Sequence, residues 1–291
     1  METTLETGVV IRPATPEDAE AAGAICYQAF STISGEHNFP CDLPGPEAAV
    51  GLMTMLFASP DFYCLVAESE GRVVGSNCLD ERAIIMGLGP ITIAPSAQNR
   101  GVGRGLMEAM IDRAEEQGAA GVRLVQAAFH NRSLSLYASL GFQVREPLSC
   151  MQGRPSKREV PGCAVRRAVA DDLEACDALS IVVHGFARSL ELSQAIQRGT
   201  ALVVERGGSI TGYASELAFF GHTTAESNAD LQALIGSVES FGGPGILVPS
   251  RNAGLFRWCL ERGLRVTQPM TLMSLGLYNE PDGAWLPSIL C

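Results

Sequence analysis

The chain has no long apolar run. Gly, Pro or a charge interrupts every hydrophobic stretch, so no segment supplies the ~20 apolar residues of a membrane span. The first residues, Met1 to Gly8, are polar and acidic, and lack the basic stretch and apolar core of a secretory signal. No Cys-x-x-Cys pair occurs. The nine cysteines are odd in number and scattered, and Cys26, Cys64, Cys176 and Cys259 fall inside apolar periodic segments. That pattern fits buried free thiols in a reducing cytoplasm, not disulfides or zinc. The four histidines are isolated, so no metal is expected. Basic residues are few: 21 Lys and Arg against 32 Asp and Glu leave a formal net charge of -11. That balance argues against general nucleic-acid binding, which works by displacing counterions from phosphates.

What is present describes a well-buried globular protein. Its 291 residues are 46% hydrophobic and 18% charged, enough for two domains. Val9-Val10-Ile11 reads as a strand. Thr15-Pro16-Glu17-Asp18 starts a helix: a capping hydroxyl, a proline at the first helical position, then acids on the positive end of the dipole. That helix is expected to run to about Phe30, with a loop over 34–46 and a second helix from Glu47 to Pro60. Phe62 to Glu68 and Arg72 to Leu79 read as a hairpin. A further strand over Ile84 to Ile93 is interrupted by Gly87-x-Gly89-Pro90, which marks a bulge or a place where something approaches the backbone. Val122 to Phe129 is a strand, Asn131 to Leu140 a short helix, and Gln143 to Gln152 one or two closing strands.

The stretch Ile91 to Met107 stands apart. Ile91, Thr92 and Ile93 suit a strand, Pro95 stops it, and Gln98 to Gly105 places three glycines on alternate positions with two arginines. Leu106, Met107, Met110, Ile111 and Ala114 then repeat at helical spacing. A glycine turn opening a helix leaves N–H groups free at the positive end of the dipole and suits an anion, most often a phosphate.

The second half repeats the first. Ile11-Arg12-Pro13-Ala14…Glu17-Asp18 matches Val165-Arg166-Arg167-Ala168…Asp171-Asp172, and Leu65-Val66-Ala67-Glu68 matches Leu202-Val203-Val204-Glu205. Asn131…Leu134…Tyr137…Gly141 matches Asn252…Leu255…Trp258…Gly263. The glycine turn has no counterpart; Ala218-Phe219-Phe220-Gly221-His222-Thr223 occupies its space. The expected organisation is a first domain over 1–152, a linker over 153–162 and a degenerate second domain over 163–291 with an apolar tail, Trp285 to Leu290, that should dock on something.

Gln98-Asn99-Arg100-Gly101-Val102-Gly103 resembles the pyrophosphate loop of the GNAT superfamily of N-acetyltransferases. Asn131 to Phe142 resembles a later motif of the same superfamily, and the element order is also similar. The resemblance implies an α/β fold with a mixed sheet, two GNAT-like domains in tandem, and acetyl-CoA as co-substrate with an amine acceptor. By carry-over, the main chain of Ile91, Thr92 and Ile93 pairs with the pantetheine arm, and Gln98, Asn99, Arg100, Gly101, Val102, Gly103, Arg104 and Gly105 form the pyrophosphate loop. Asn131 bonds the pantetheine with help from Ser133, and the Tyr137 hydroxyl is the general acid that protonates the departing thiolate.

The base is not given by the resemblance. Asp80, Glu81 and His130 are candidates, directly or through water, beside solvated-turn and strand-end readings. In the second half Trp258 stands at the place of Tyr137, and an indole cannot act as an acid near neutral pH. His222 and Asp230 have two readings, facing a substrate across the domain interface or plain surface roles, and the surface roles are the expectation. That half is expected to complete a core, wall the substrate cleft or form a homodimer. The leading function is acetyl transfer from acetyl-CoA to a primary amine by direct attack in a ternary complex, in the cytoplasm, with no nucleic acid and no membrane involved. The alternatives are a non-catalytic acyl-CoA sensor or interaction protein, and an acyltransferase that uses a longer chain.

Overall fold

The computed structural model describes residues 3–5, 8–156 and 160–290. Part of the acidic start, part of the expected linker (157–159) and residue 291 of the expected second domain lie outside the described residues. The chain divides into two compact units.

The first unit holds the chain up to Leu124, then Phe129–Gln143 and Leu290. It opens with β1 (Thr3–Thr4) and β2 (Val10–Pro13). A tight turn over Pro16–Asp18, in which the Thr15 N–H donates to Asp18 Oδ2 at 2.9 Å, starts the first helix. That helix, α1 (Ala19–Glu36), passes the expected end at Phe30, because nothing breaks the chain before Asn38, which turns at φ 58°. The loop is correspondingly short, and α2 (Pro46–Ala58) begins with its proline at the first position. The hairpin follows as β3 (Phe62–Ser69) and β4 (Arg72–Asp80). The next strand is split into β5 (Ile85–Leu88) and β6 (Thr92–Ile93) on either side of Gly89-Pro90. Then come α3 (Val102–Glu116), β7 (Gly121–Ala127) and α4 (Asn131–Ser139).

The sheet order in this unit is β1-β2-β3-β4-β5-β7, antiparallel except where β5 meets β7 in parallel. A parallel pair needs a crossover, which α3 supplies. On one face Cys26, Met53 and Leu56 from α1 and α2 pack on Cys64 and Cys78 of the hairpin. On the helix α3, Leu106, Met107 and Met110 are fully buried. Their burial explains the helical apolar spacing read in the sequence.

The second unit holds Val125–Ala128 and Val144–Ile289. Its elements are β8 (Gln143–Gln152), β9 (Cys163–Arg167), α5 (Leu173–His184), α6 (Ser189–Arg198), β10 (Leu202–Arg206), β11 (Ser209–Ala214) and β12 (Thr223–Ala225). They continue with α7 (Asn228–Gly236), β13 (Ile246–Pro249), α8 (Ala253–Glu261), β14 (Arg265–Gly276) and β15 (Ala284–Leu286). One antiparallel sheet has the order β15-β12-β11-β10-β9, and elsewhere β8 lies between β14 and β13. The apolar tail read in the sequence is therefore partly a strand: Trp285 pairs with Thr224 and is buried.

The internal repeat is visible atom by atom. In the first unit Arg12 donates to both carboxylate oxygens of Asp18 and to Glu68. In the second unit Arg166 does the same with Asp172 and Glu205. These guanidinium bonds hold both aspartates below the usual carboxylate range. One difference from the expected division concerns β8, read as the close of the first domain. It pairs with β13 inside the second unit, with Leu247 opposite Cys150 and Val248 opposite Ser149. Its buried run Leu148 to Met151 is where an apolar strand finds cover on both faces.

Candidate functional site

The site is built where strand pairing stops. β5 pairs with β7 at Ile85↔Gly121, Met86↔Val122 and Gly87↔Arg123. After Gly89-Pro90 the chain resumes as β6, which pairs only with β4, at Gly75 and Ser76, among the described residues. An open strand edge is thereby left on β6, of the kind an extended ligand can extend. Of the three residues expected to offer it, Thr92 and Ile93 are in the strand and Ile91 precedes it. The Ile93 carbonyl accepts from Gln98 Nε2 at 3.2 Å, and Gln98 Oε1 accepts from Arg132 at 2.9 Å. Gln98 thus braces the turn and is not itself turned outward.

At the start of α3 the geometry favours an anion. Asn99 (φ 61°) and Gly101 (φ 79°) both adopt the left-handed conformation, and a glycine takes it without the Cβ penalty. The N–H groups from Arg100 to Arg104 have no main-chain acceptor among the described residues, and no acid sits in the first turn of α3. The run ends there. The Gly105 N–H already donates to the Gly101 carbonyl at 2.9 Å, and Gly105 is buried against Leu5 and Ile11. Gly105, expected in the loop, is therefore a packing residue. Val102 is buried and offers only its main chain. Arg100 is exposed, whereas Arg104 donates to Ser139 Oγ at 2.7 Å and pairs with Glu108 at 3.5 Å.

At α4 the expected asparagine is exposed, and its side chain makes no hydrogen bond among the described residues. The helix is capped instead by His130, whose Nδ1 accepts from the Ser133 N–H at 3.0 Å. Burial, with Arg132 adding to it, lowers the His130 pKa below the ordinary histidine value. A neutral imidazole whose Nδ1 is engaged carries its proton on Nε2. In this arrangement His130 has no lone pair left for the expected base role. Ser133 Oγ donates to the His130 carbonyl.

Tyr137 is buried, 6% exposed, beside Phe142. Burial pushes its hydroxyl pKa upward and keeps it protonated. The other candidate bases are engaged. Both Glu81 oxygens accept from Arg113, at 2.7 and 3.1 Å, and Arg113 lies over the Tyr63 ring. Asp80 is held by Arg82. Both carboxylates are thus occupied by arginines of the fold.

Sequence reasoning missed an aromatic group at the same end of the unit. Phe39, in the loop after α1, stacks on Phe129 with centroids 4.3 Å apart, and His37 lies 5.3 Å from Phe129. The only sequence signal was an aromatic pair separated by ninety residues, which periodicity does not connect.

The counterpart in the second unit is filled from within. There α7 follows β12, with Ser227 as its cap and Asp230 in its first turn. Asp230 is fully buried and accepts from Thr211 at 2.7 Å and Arg206 at 3.1 Å. His222 is also buried, within 3.2 Å of His184 and 2.9 Å of Thr224. Neither is the surface residue expected. Their burial is made tolerable by these hydrogen bonds.

Residues 30–142 match the acetyltransferase (GNAT) family. Among solved structures, a candidate acetyltransferase from Pyrococcus horikoshii is similar at a TM-score of 0.73 and 19% identity, covering 98% of this chain and 96% of that one. A GCN5-related N-acetyltransferase from Sphaerobacter thermophilus is similar at 0.65 and 16%, covering 96% and 99%. A tandem GNAT protein from the clavulanic acid biosynthesis pathway is similar at 0.53 and 14%, again covering 96% and 99%. No curated protein matches the chain in sequence. At these identities the structures speak for the fold, which is that of two GNAT-like domains in tandem.

Proposed function

From the premise that the chain carries a GNAT-family acetyltransferase domain over residues 30–142, we propose that it transfers an acetyl group from acetyl-CoA to a primary amine by direct attack in a ternary complex. The observation that carries this reading is the run of free N–H groups from Arg100 to Arg104, opened by a left-handed glycine and continued by a helix. That run fits a pyrophosphate. The open edge of β6 and the exposed Asn131 side chain fit the amides of a pantetheine arm. Acetyl-CoA, when bound, supplies the activated acyl group as a thioester.

The chain's own residues then have distinct tasks. Arg100 adds positive charge at the phosphates. Tyr137 holds a proton on its hydroxyl, the state required to give it to a departing sulfur. No carboxylate or imidazole among the candidates is free as a base, so the amine is deprotonated through solvent or arrives neutral.

The test is thiol release from acetyl-CoA by the full chain with a panel of small amines, amino acids, antibiotics and N-terminal peptides. Amine-dependent release is expected, and Tyr137→Phe should lower kcat by about 10²–10⁴-fold with the KM for acetyl-CoA unchanged. Binding of acetyl-CoA without release for any amine would replace the reading with a sensor. Preference for a longer acyl-CoA would replace the donor.

A further inference from the structure

Gly87 is the last residue at which β5 pairs with both neighbours, opposite Asp80 on β4 and Arg123 on β7. Directly opposed residues share a face of the sheet. A Cβ built on Gly87 would stand 3.6 Å from the Asp80 Cβ, on that face. It would also run into the main-chain carbonyl of Leu290. The Leu290 carbonyl therefore sits against β5 at the one position where the strand has no side chain.

This is the face that α1 and α2 cover further along. Cys64, two residues after Phe62, and Cys78, two before Asp80, belong to the core those helices form. Leu290 is only 8% exposed and Ser288 only 3%. The segment is seated like core, not draped over the surface.

Its position matters because of where the strands close. An extended ligand laid along the open edge of β6 stops at the pairing Gly87↔Arg123, beyond which β5 and β7 are joined. A reacting amine has to reach that end from a face of the sheet, and on the α1–α2 face the space at Gly87 is taken by Leu290. Resting on the acetyl transfer proposed above, we propose that the main chain at Leu290, seated on Gly87, is the end wall of the acceptor pocket and restricts it to slender primary amines, unbranched beside the nitrogen.

Two variants of the full protein test this. Gly87→Ala puts a methyl where the Leu290 carbonyl sits, so the segment has to lift. A chain ended at Ile289 removes the wall outright. Activity is compared on ethylamine, isopropylamine and tert-butylamine. The native protein is expected to favour ethylamine over tert-butylamine in kcat/KM by at least about tenfold. Both variants should cut that preference at least about fivefold, with the KM for acetyl-CoA within about twofold of native. An unchanged preference in both variants overturns the wall.

Hydrogen exchange over Ile85–Leu88 supplies a readout independent of turnover. It should be at least about tenfold faster in the shortened chain. Equal exchange in the native and shortened chains overturns the seating of Leu290. Absence of turnover with every amine overturns the acetyl-transfer reading instead, so the two failures are told apart.

Discussion

The starts of α3 and α7 are one helix end solved in two ways. In α3 the cap is a left-handed glycine, the first turn has no acid, and its third residue is Arg104. In α7 the cap is Ser227 and the third residue is Asp230, buried and bonded by Ser227, Thr211 and Arg206. Burial alone would raise the Asp230 pKa, but the bonds from Arg206, Ser227 and Thr211 hold it below the usual carboxylate range. The second half has thus supplied its own anion to the positive end of the dipole, and the first half has left that place open. On the acetyl-CoA reading proposed above, the second half differs less by its missing glycines than by an internal carboxylate standing where that reading puts the anion.

Breaking the comparison should have the largest effect. Arg104→Asp places a carboxylate in α3 at the position Asp230 holds in α7. We expect the KM for acetyl-CoA to rise about 100-fold, which corresponds to ~2.7 kcal/mol, while thermal stability is kept or rises because the helix end gains a favourable charge. Arg104→Ala, which removes the guanidinium with its bond to Ser139 and its pairing with Glu108, should change KM by about threefold. Titration of both variants with acetyl-CoA checks this; equal, small effects would mean the anion does not sit at these N–H groups.

A second contrast lies at α4 and α8. Asn252 caps α8 by accepting from the Leu255 N–H at 3.2 Å and is paired reciprocally with Asn228, at 2.7 and 2.9 Å. Asn131, its repeat partner, has been relieved of that duty by His130 one residue earlier. Asn252→Ala should therefore destabilise the second unit by about 1 kcal/mol, the usual worth of a cap, with little change in turnover. Asn131→Ala should leave stability unaltered and raise the KM for acetyl-CoA about tenfold. Chemical denaturation beside steady-state kinetics separates the two, and the same result at both positions would end the distinction.

Much of this was legible from local pattern. The glycine turn, the helical spacing of Leu106, Met107 and Met110, and the paired Arg12 and Arg166 motifs all act over a few residues, where backbone preference and periodicity leave a trace. What was not legible depends on distant partners. Glu81 reads as a solvated turn residue until Arg113, thirty-two positions on, is folded against it. Asp230 reads as surface until Arg206 and Thr211 surround it. Gly105 looks like a third phosphate glycine, although its own N–H is already committed and Leu5 and Ile11 press on it. β8 carries an apolar run that says only that it is buried, not that its partner is β13. Hydrophobic pattern specifies that a strand is covered; the partner is set by tertiary contacts that the pattern does not encode.

The smallest expected effect sharpens the role of His130. Its Nδ1 accepts the Ser133 N–H, so the cap exists only while the ring is neutral. Burial and the nearby Arg132 depress its pKa in the fold and His37 pushes the same way, while a main-chain hydrogen bond and then Glu36 oppose them. With the folded pKa below the ordinary value near ~6.5, the unfolded chain binds the proton first as pH falls. The stabilisation is therefore fully present above about 6.5 and is lost as pH drops through the lower, folded pKa. The loss is bounded by the worth of one cap, about 1 kcal/mol. His130→Asn keeps a side-chain acceptor at the cap and removes the titration. Exchange of the Ser133 amide, corrected for the intrinsic rate, should accelerate about threefold on going from neutral to acidic pH in the native protein and stay level in His130→Asn. If both proteins respond alike, the imidazole is not the cap, and Asn131 has been freed by something else.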